Sequence, residues 1–363
     1  MHRRLFLFLS VLDTLYGFCS MTYRVAINGY GRIGQSVLRA YYESRLLSDM
    51  TYPFKIVAIN ELSDIETIAY LTRYDTTHGR FPLNVEVHGT NTLLIDDDEI
   101  LVTRHDEISS LPWSDLNIDL VLECTGFFSS RVLAEKHITS GAQRVLLSQP
   151  GDDNVDQTIV FGFNHQQIQG SETVISNASC TTNAILPLIS ILNDEFEIQL
   201  GSLTTIHSAM NDQPTIDAYH HHDLRRTRSA MQNVVPVETE LAKGIERFLP
   251  KMKDKLTATA LRVPIINVSA IELNVVISKE TTSDSVNALL KQKAKLDNFK
   301  MLSYTDQPLA SSDFIHELHS SVVDGSQTRV VGGKLIKLLT WFDNEWAYAN
   351  RMLDVAAYWL NKR

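Results

Sequence analysis

A glycine-rich segment between a predicted strand and a predicted helix constrains the fold of this chain more than any other stretch. Residues 25–28 form an apolar run typical of a buried parallel strand. Residues 29–34 follow with the pattern Gly-x-Gly-x-x-Gly, and the apolar positions after them recur with helical spacing. In this context a dinucleotide binds at the N-terminus of the helix. The alternative is a glycine-rich turn without a ligand.

The three glycines have separate predicted roles. Gly29 allows the tight turn, Gly31 lets the backbone approach a pyrophosphate, and Gly34 allows close packing of helix against strand. The next predicted strand, 56–60, ends at Glu61, whose carboxylate would accept hydrogen bonds from both hydroxyls of a ribose. A carboxylate there repels a 2′-phosphate and so favours NAD over NADP. A solvated surface glutamate is the alternative.

Strands and helices alternate through the first half of the chain. Strands are predicted at 120–124, 144–148 and 158–161, and a helix over 131–140 ends at Gly141. This alternation predicts a doubly wound parallel sheet of the Rossmann type. Thr125 follows a strand at its carboxyl end, where ligands bind in such sheets. We interpret Cys124, the last residue of that strand, as a packing residue.

The second half of the chain has a different pattern. Alternating runs predict strands, and two stretches with helical spacing predict an exposed helix over 283–295 and an amphipathic helix that starts at Trp346 and closes the chain. The predicted strands lie at 203–206, 258–263, 270–277 and 334–342. This half therefore predicts an α+β domain with a mixed or antiparallel sheet.

Length and composition narrow the class of protein. A chain of 363 residues favours two domains. The net charge of −10 argues against nucleic-acid binding, which needs a basic surface. Three cysteines do not make a disulfide framework and favour a reducing, cytoplasmic location. Beyond the first twenty residues no stretch approaches the roughly 18 apolar residues of a membrane span, so no membrane partner is expected.

The first twenty residues superficially resemble a secretory signal peptide. A basic start precedes the apolar run 5–9, but this run is short, Asp13 interrupts the residues after it, and no small-residue cleavage site is visible. We predict that residues 1–20 are an upstream extension and that Met21 is the functional start. Export is the alternative.

Residues 176–183 are small and polar and surround one cysteine, Cys180. A helix that begins at Ser179 or Cys180 would point its N-terminus at the sulfur and lower the pKa of the thiol. His207 ends a predicted strand 27 residues later, so the two side chains can meet only in the fold. Together they form a candidate nucleophile and base. A buried structural cysteine and a surface histidine are the alternatives.

With NAD nearby, these groups predict the oxidation of an aldehyde. The thiolate would form a hemithioacetal, hydride transfer would leave a thioester, and water or phosphate would cleave it. The basic run 224–228 and Arg262 indicate a phosphorylated substrate, because guanidinium groups match phosphate oxygens. A solvated loop or a subunit contact is the alternative for these arginines. The consecutive histidines 220–222 do not predict a metal site, since neighbouring side chains point apart.

Three long motifs, at 28–34, 176–183 and 343–346, resemble those of the glyceraldehyde-3-phosphate dehydrogenase family. Further segments resemble the bacterial D-erythrose-4-phosphate dehydrogenase subgroup of that family; they lie at 59–62, 111–113, 207–210, 223–228 and 323–329. The resemblance extends from Met21 to the end of the chain. It implies oxidation of D-erythrose 4-phosphate to 4-phosphoerythronate, on the route to pyridoxal 5′-phosphate. Phosphorylating glyceraldehyde-3-phosphate dehydrogenase and a non-catalytic NAD-binding interaction protein are the alternatives.

The resemblance also implies roles for individual residues. Cys180 would be the nucleophile and His207 the group that activates it. Substrate or anion contacts are implied for Ser179, Thr181, Arg225 or Arg226, Thr239, Arg262 and the position of Glu240, and NAD contacts for Arg32, Ile33 and Asn344. A homotetramer is implied, as is an NAD-binding domain at 21–175 completed by a C-terminal helix at 344–363. The catalytic domain would then be residues 176–343.

Several positions depart from the family pattern. Glu240 stands where the subgroup has lysine and the wider family has glycine. A carboxylate there disfavours a second anion such as phosphate, which favours cleavage of the thioester by water. The usual second cysteine after the nucleophile is Ala184, and an arginine expected near the adenine is displaced to Arg104.

Overall fold

The structure, a computed structural model, describes residues 22–48, 51–220 and 223–362. The predicted extension at 1–20, the predicted start at Met21 and the last two of the three consecutive histidines lie outside these residues.

Eleven strands precede Cys180 in the described part of the chain. Nine of them form one sheet in the order β10-β11-β9-β8-β1-β2-β7-β6-β5, and β3 and β4 form a separate short ribbon. Pairing is parallel except at β5–β6 and β6–β7. The strands are β1 (Tyr23–Asn28), β2 (Phe54–Asn60), β3 (Tyr74–Asp75), β4 (Gly79–Arg80), β5 (Val85–His88), β6 (Thr92–Ile95), β7 (Asp98–Thr103), β8 (Leu120–Glu123), β9 (Arg144–Leu147), β10 (Gln157–Thr158) and β11 (Val174–Ser176).

Three helices connect these strands: α1 (Arg32–Ser48), α2 (Ile65–Arg73) and α3 (Arg131–Thr139). The helix predicted over 131–140 is confirmed as α3, which begins at Arg131 and ends one residue early at Thr139. Ser130 caps its N-terminus by accepting a hydrogen bond from the backbone N–H of Leu133, and Gly141 follows its end with a left-handed φ of 108°.

The strand predicted at 158–161 is wrong for most of its length. Only Thr158 lies in a strand, because the chain turns after it. Asn164 accepts a hydrogen bond from the backbone N–H of Val160 at 2.8 Å, and Gly162 has a φ of 86°. Ile159 and Val160 are buried in this turn instead. The inner position beside β9 is taken by β11, which is too short to be recognised from a sequence pattern.

The second half of the described chain contains the mixed sheet that the sequence predicts. Its order is β13-β14-β12-β15-β19-β17-β16, and β18 pairs with β19. The central strand β12 is parallel to β14 and antiparallel to β15. The strands are β12 (Ile198–His207), β13 (Val235–Val237), β14 (Leu256–Arg262), β15 (Ser269–Ile277), β16 (Leu302–Thr305), β17 (Ser321–Asp324), β18 (Arg329–Val331) and β19 (Leu335–Phe342). A Rossmann-type sheet followed by a mixed sheet confirms the predicted fold class.

Four further helices belong to this half of the sequence: α4 (Cys180–Phe196), α5 (Leu241–Phe248), α6 (Ser283–Leu296) and α7 (Trp346–Leu360). The last helix returns to the first sheet, where its apolar residues join the core around β1 and α1. The sequence predicts an amphipathic helix here, but both of its faces are buried, including Asn350 and Arg351. Arg351 is held there by Asp354 and by the carbonyl of Lys300. The domain boundaries themselves stay a prediction.

Within the described ranges, no helix is both long enough and apolar enough to cross a membrane.

Candidate active site

The glycine loop joins β1 to α1 at the carboxyl edge of the first sheet. Gly29 has a φ of 88°, and a Cβ there would lie 2.7 Å from the Cα of Thr125, so no larger residue fits. A Cβ at Gly34 would clash with the carbonyl oxygen of Gly29. A Cβ at Gly31, by contrast, would meet no described atom within 4 Å. The loop is therefore packed against other protein atoms at Gly29 and Gly34 and is open at Gly31, as the approach of a pyrophosphate requires.

Glu61 lies beside this loop. Its carboxylate accepts hydrogen bonds from the backbone N–H of Tyr30 and from that of Leu62, both at 2.8 Å. The carboxylate of Glu61 is thus fixed next to the glycine loop, and Glu61 is only half-buried. Glu61 and Gly31 together fit a dinucleotide at this edge.

Arg32 and Ile33, two predicted NAD contacts, turn largely toward the protein. Ile33 packs against the core around β1 and α1. The guanidinium of Arg32 pairs with Asp75 and Glu345, with 2.9 Å between its Nε and Oε1 of Glu345. Burial opposes this charge, but the hydrogen bonds to Glu345 and Asp75 outweigh burial and raise the pKa of Arg32. Arg32 therefore ties the glycine loop to the segment before α7.

Asn344 is distant from β12 in sequence, but its side chain lies at the end of that strand. Its Oδ1 accepts hydrogen bonds from the hydroxyls of Ser208, at 3.1 Å, and Ser269, at 2.7 Å. Because the oxygen is turned to these serines, the side-chain amide offers its Nδ2–H groups to a ligand. Ser208 directly follows His207, so Asn344 is fixed near the candidate base.

Cys180 is the first residue of α4, as predicted. Ser179 caps this helix, and its hydroxyl accepts a hydrogen bond from the backbone N–H of Thr182 at 3.0 Å. The sulfur of Cys180 lies 3.8 Å from Nε2 of His207, the last residue of β12. Cys180 also packs against the core around β1 and α1 and against a second apolar core, formed by α4 and the second sheet, so the pair lies where the two halves of the chain meet.

The tautomer of His207 follows from its second nitrogen. Nδ1 lies 2.9 Å from the carbonyl oxygen of Ser208, which can only accept a hydrogen bond. In the neutral ring the proton is therefore on Nδ1, and the lone pair of Nε2 faces the thiol. This arrangement allows His207 to accept the proton of Cys180.

The expected lowering of the thiol pKa is not found. Burial raises the pKa of Cys180 to about 11, and it outweighs the opposing effects of the Thr181 backbone N–H and the charge of Arg262. Burial also lowers the pKa of His207 to about 4. Both groups are therefore neutral near pH 7, and formation of the thiolate requires transfer of the proton from sulfur to Nε2.

Two arginines converge on one carboxylate near this pair. Asp212 accepts a hydrogen bond from Arg262 at 2.8 Å and from Arg226 at 3.1 Å. Arg262 is paired with His207 across β14 and β12, which places its cation beside the catalytic candidates. Asp212 is not among the predicted site residues, because an aspartate in a loop carries no sequence signal of its own.

Five of the predicted substrate residues line one cavity of about 1150 Å³; they are Ser179, Thr181, Thr239, Glu240 and Arg262. Arg225 does not line this cavity. It lies, with Thr239 and Glu240, at a separate cavity of about 540 Å³. The sequence left Arg225 and Arg226 open as alternatives, and the structure brings Arg226, through Asp212, to Arg262.

A dinucleotide loop on a Rossmann-type sheet, with a cysteine–histidine pair where the second sheet meets it, defines a dinucleotide-dependent oxidoreductase. Residues 23–131 match the family described as glyceraldehyde 3-phosphate dehydrogenase, NAD binding domain, and residues 179–344 match its C-terminal domain. The chain belongs to the glyceraldehyde 3-phosphate dehydrogenase family. It binds NAD and is an NAD-dependent oxidoreductase that acts on an aldehyde.

Proposed function

We propose that this enzyme oxidises D-erythrose 4-phosphate to 4-phosphoerythronate through a thioester on Cys180 that water releases. The observation that carries the chemistry is the 3.8 Å contact between the sulfur of Cys180 and Nε2 of His207. The subgroup motifs of the sequence support erythrose 4-phosphate as the substrate and synthesis of pyridoxal 5′-phosphate as the purpose.

His207 acts first as a base. Its Nε2 takes the thiol proton while the sulfur bonds to the aldehyde carbon, and the protonated ring then donates to the oxygen of the hemithioacetal. The backbone N–H of Cys180, at the start of α4, is a second donor for this oxygen. NAD, when bound, would accept the hydride, and Nε2 of His207 takes back the hydroxyl proton as the carbonyl of the thioester forms. Asn344 would hold its carboxamide through the side-chain N–H groups, and Gly29, Gly31, Arg32, Ile33, Gly34, Glu61 and Thr125 would shape the rest of its site.

The phosphate of the substrate would bind at the cationic end of the cavity. Arg262 is nine-tenths buried and is oriented by Asp212, so its position is fixed before the substrate arrives. Ser179, Thr181 and Thr239 add hydroxyl groups along the same cavity. Arg226 is held by the same aspartate and would assist, whereas the exposed Arg225 would not contact the phosphate.

Glu240 supports water rather than phosphate as the acyl acceptor. It immediately precedes α5 and lines the cavity, at a helix N-terminus where an anion would otherwise bind. Its carboxylate pairs with Lys243 at 2.9 Å, but both side chains are largely exposed. The negative charge therefore opposes inorganic phosphate beside Thr239 more than it opposes a neutral water molecule.

The deciding experiment measures NADH formation with erythrose 4-phosphate and with glyceraldehyde 3-phosphate, each with and without inorganic phosphate. We expect preference for erythrose 4-phosphate and no requirement for phosphate. Preference for glyceraldehyde 3-phosphate that depends on phosphate would instead identify the phosphorylating glycolytic enzyme.

A Cys180→Ser variant separates an enzyme from a non-catalytic NAD-binding protein. We expect loss of turnover with unchanged affinity for NAD, because serine is a far weaker nucleophile at the same position. Turnover that survived this change would contradict the thioester mechanism.

We propose that the enzyme is a cytoplasmic homotetramer. The connection between β12 and β13, which contains the basic run 224–228, exposes large apolar side chains, among them Ile216 at 76%, Leu224 at 86% and Val234 at 59%. Such side chains are expected at a subunit contact. Both cysteines of the described chain, Cys124 and Cys180, are free thiols, which fits a reducing compartment. Light scattering should give the mass of a tetramer, and a Leu224→Asp variant should give a smaller species.

A further inference from the structure

A connected set of buried polar side chains lies beneath the glycine loop, away from Cys180 and His207. Its centre is Glu123, the last residue of β8, which is 1% exposed. Its Oε2 lies 2.6 Å from Nδ2 of Asn28 and 3.0 Å from Nε2 of His137. His137 is on α3 and is completely buried.

Trp113 fixes the direction of these hydrogen bonds. Its indole N–H, which can only donate, lies 2.9 Å from Nδ1 of His137. Nδ1 is therefore the acceptor nitrogen, and the proton of the neutral ring is on Nε2, where it points at Glu123.

The other oxygen of Glu123 holds Thr125. Oε1 accepts a hydrogen bond from the backbone N–H of Thr125 at 2.8 Å and another from its hydroxyl. With Asn28 and His137 on Oε2, the carboxyl group faces four donors and donates to none. This is the environment of an ionised carboxylate, and hydrogen bonds to a charged acceptor are stronger than neutral ones.

These contacts reach the cofactor loop directly. Thr125 packs so closely on Gly29 that a Cβ on the glycine would lie 2.7 Å from its Cα. Asn28, the residue before Gly29, accepts a hydrogen bond on its Oδ1 from Asn60, the last residue of β2. Glu123 thus connects the carboxyl ends of β1, β2 and β8 around the turn that the glycine loop makes.

We propose that Glu123 is a positioning residue for NAD, which sets the separation of Thr125 and the glycine loop, with His137 and Trp113 holding its carboxylate in place. The inference rests on the placement of NAD at this loop proposed above. An isolated buried carboxylate would lower the stability of the fold, and apolar side chains would pack equally well in the same space. Four convergent donors instead give one defined geometry to two backbone segments that enclose the cofactor.

The test replaces Glu123 with its neutral isostere and measures the dissociation constant of NAD by titration calorimetry. In Glu123→Gln the amide N–H groups face donors, so the contacts to Thr125 or to Asn28 are lost. We expect the dissociation constant and the KM for NAD to rise about tenfold, equivalent to about 1.4 kcal/mol, while kcat at saturating NAD falls less than threefold.

Glu172→Gln is the matched control. Glu172 is also a buried carboxylate with three donors, from Gln157, Gln169 and Gly170, but it lies away from the glycine loop. We expect it to lower the melting temperature and to leave the affinity for NAD unchanged. An unchanged affinity in Glu123→Gln, or an equal loss in Glu172→Gln, would overturn the proposal.

A second pair of variants keeps the test decisive if Glu123→Gln does not fold. His137→Gln retains an N–H donor toward Glu123, whereas His137→Leu removes it. We expect the glutamine variant to bind NAD within twofold of the wild type and the leucine variant at least fivefold more weakly. Equal affinities in the two variants would reject a positioning role, and failure of the wild-type protein to bind NAD would reject the proposed site itself.

Discussion

The hydroxyl of Tyr348 donates a hydrogen bond to the backbone carbonyl of Ala178 at 2.8 Å, across 170 residues of sequence. Ala178 has a left-handed φ of 55° and lies two residues before Cys180. Its N–H is held as well, by the hydroxyl of Ser176 at 3.1 Å. Because a side chain with a Cβ disfavours this conformation, the two hydrogen bonds stabilise the turn that delivers Cys180 to its helix.

Removal of the Tyr348 hydroxyl should therefore loosen the nucleophile. We expect Tyr348→Phe to lower kcat about tenfold, with a loss of unfolding free energy of about 1 kcal/mol, measured by steady-state NADH formation and by denaturant unfolding. Tyr358→Phe, on the same helix, is the control and should retain kcat. A Tyr348→Phe enzyme with wild-type kcat would show that the turn holds without this bond.

The neutral state of the Cys180–His207 pair predicts how the thiol reacts with iodoacetamide. Because burial raises the pKa of Cys180 to about 11, the alkylation rate should increase steadily from pH 6 to pH 9 without reaching a plateau. A plateau below pH 8 would mean that the thiolate is already formed in the resting enzyme.

His207→Asn removes the acceptor of the thiol proton and should lower kcat about 100-fold or more.

The assignment of the phosphate end predicts a loss of discrimination at Arg262. In Arg262→Gln, the ratio of kcat/KM for erythrose 4-phosphate to that for erythrose should fall at least tenfold, because only the phosphorylated substrate uses the guanidinium. Arg262→Lys keeps the charge but not the bidentate geometry, so its ratio should lie between those of the wild type and Arg262→Gln. An unchanged ratio in Arg262→Gln would place the phosphate elsewhere.

His316 predicts part of the acid sensitivity of the fold. Its ring stacks on Trp346 with centroids 4.1 Å apart. Burial, then the charges of His78 and Arg39, lower its pKa to about 4, and Asp75 opposes them. Since an unfolded histidine has a pKa near 6.5, the unfolded chain binds the proton more readily. Stability is therefore complete above about pH 6.5 and is lost as pH falls toward 4.

His316→Asn should make this loss smaller. Asparagine tolerates the left-handed φ of 67° at this position and does not titrate. We expect the melting temperature of the variant to fall less between pH 7 and pH 4.5 than that of the wild type. His88→Asn, at an exposed histidine, should follow the wild-type curve. Parallel curves for wild type and His316→Asn would exclude this contribution.

Local patterns predict the elements whose stability is local. The glycine loop, the first residues of α3 and α4 and the alternating strands of the second sheet lie where short-range spacing places them. The strand predicted at 158–161 is wrong because a buried apolar run does not distinguish a strand from a turn held by one side chain, here Asn164. The burial of both faces of α7 is equally absent from the local pattern, since it depends on a partner far away in sequence.

By itself the sequence determined the family, the NAD-binding loop and the choice of Cys180 and His207 as candidates, because each rests on a local pattern: the long motifs, the glycine spacing, the small polar segment around Cys180 and the strand that ends at His207. That the two side chains meet was decided by the fold. The tertiary structure alone decided that Asp212 joins Arg262 to Arg226, that Tyr348 holds Ala178, and that Glu123 connects to Thr125 and His137. The tertiary structure also reversed the expected direction of the shift in the pKa of Cys180, because burial raises it. The physical reason is the same in every case: hydrogen bonds and burial depend on distances across the fold, and no local spacing encodes them.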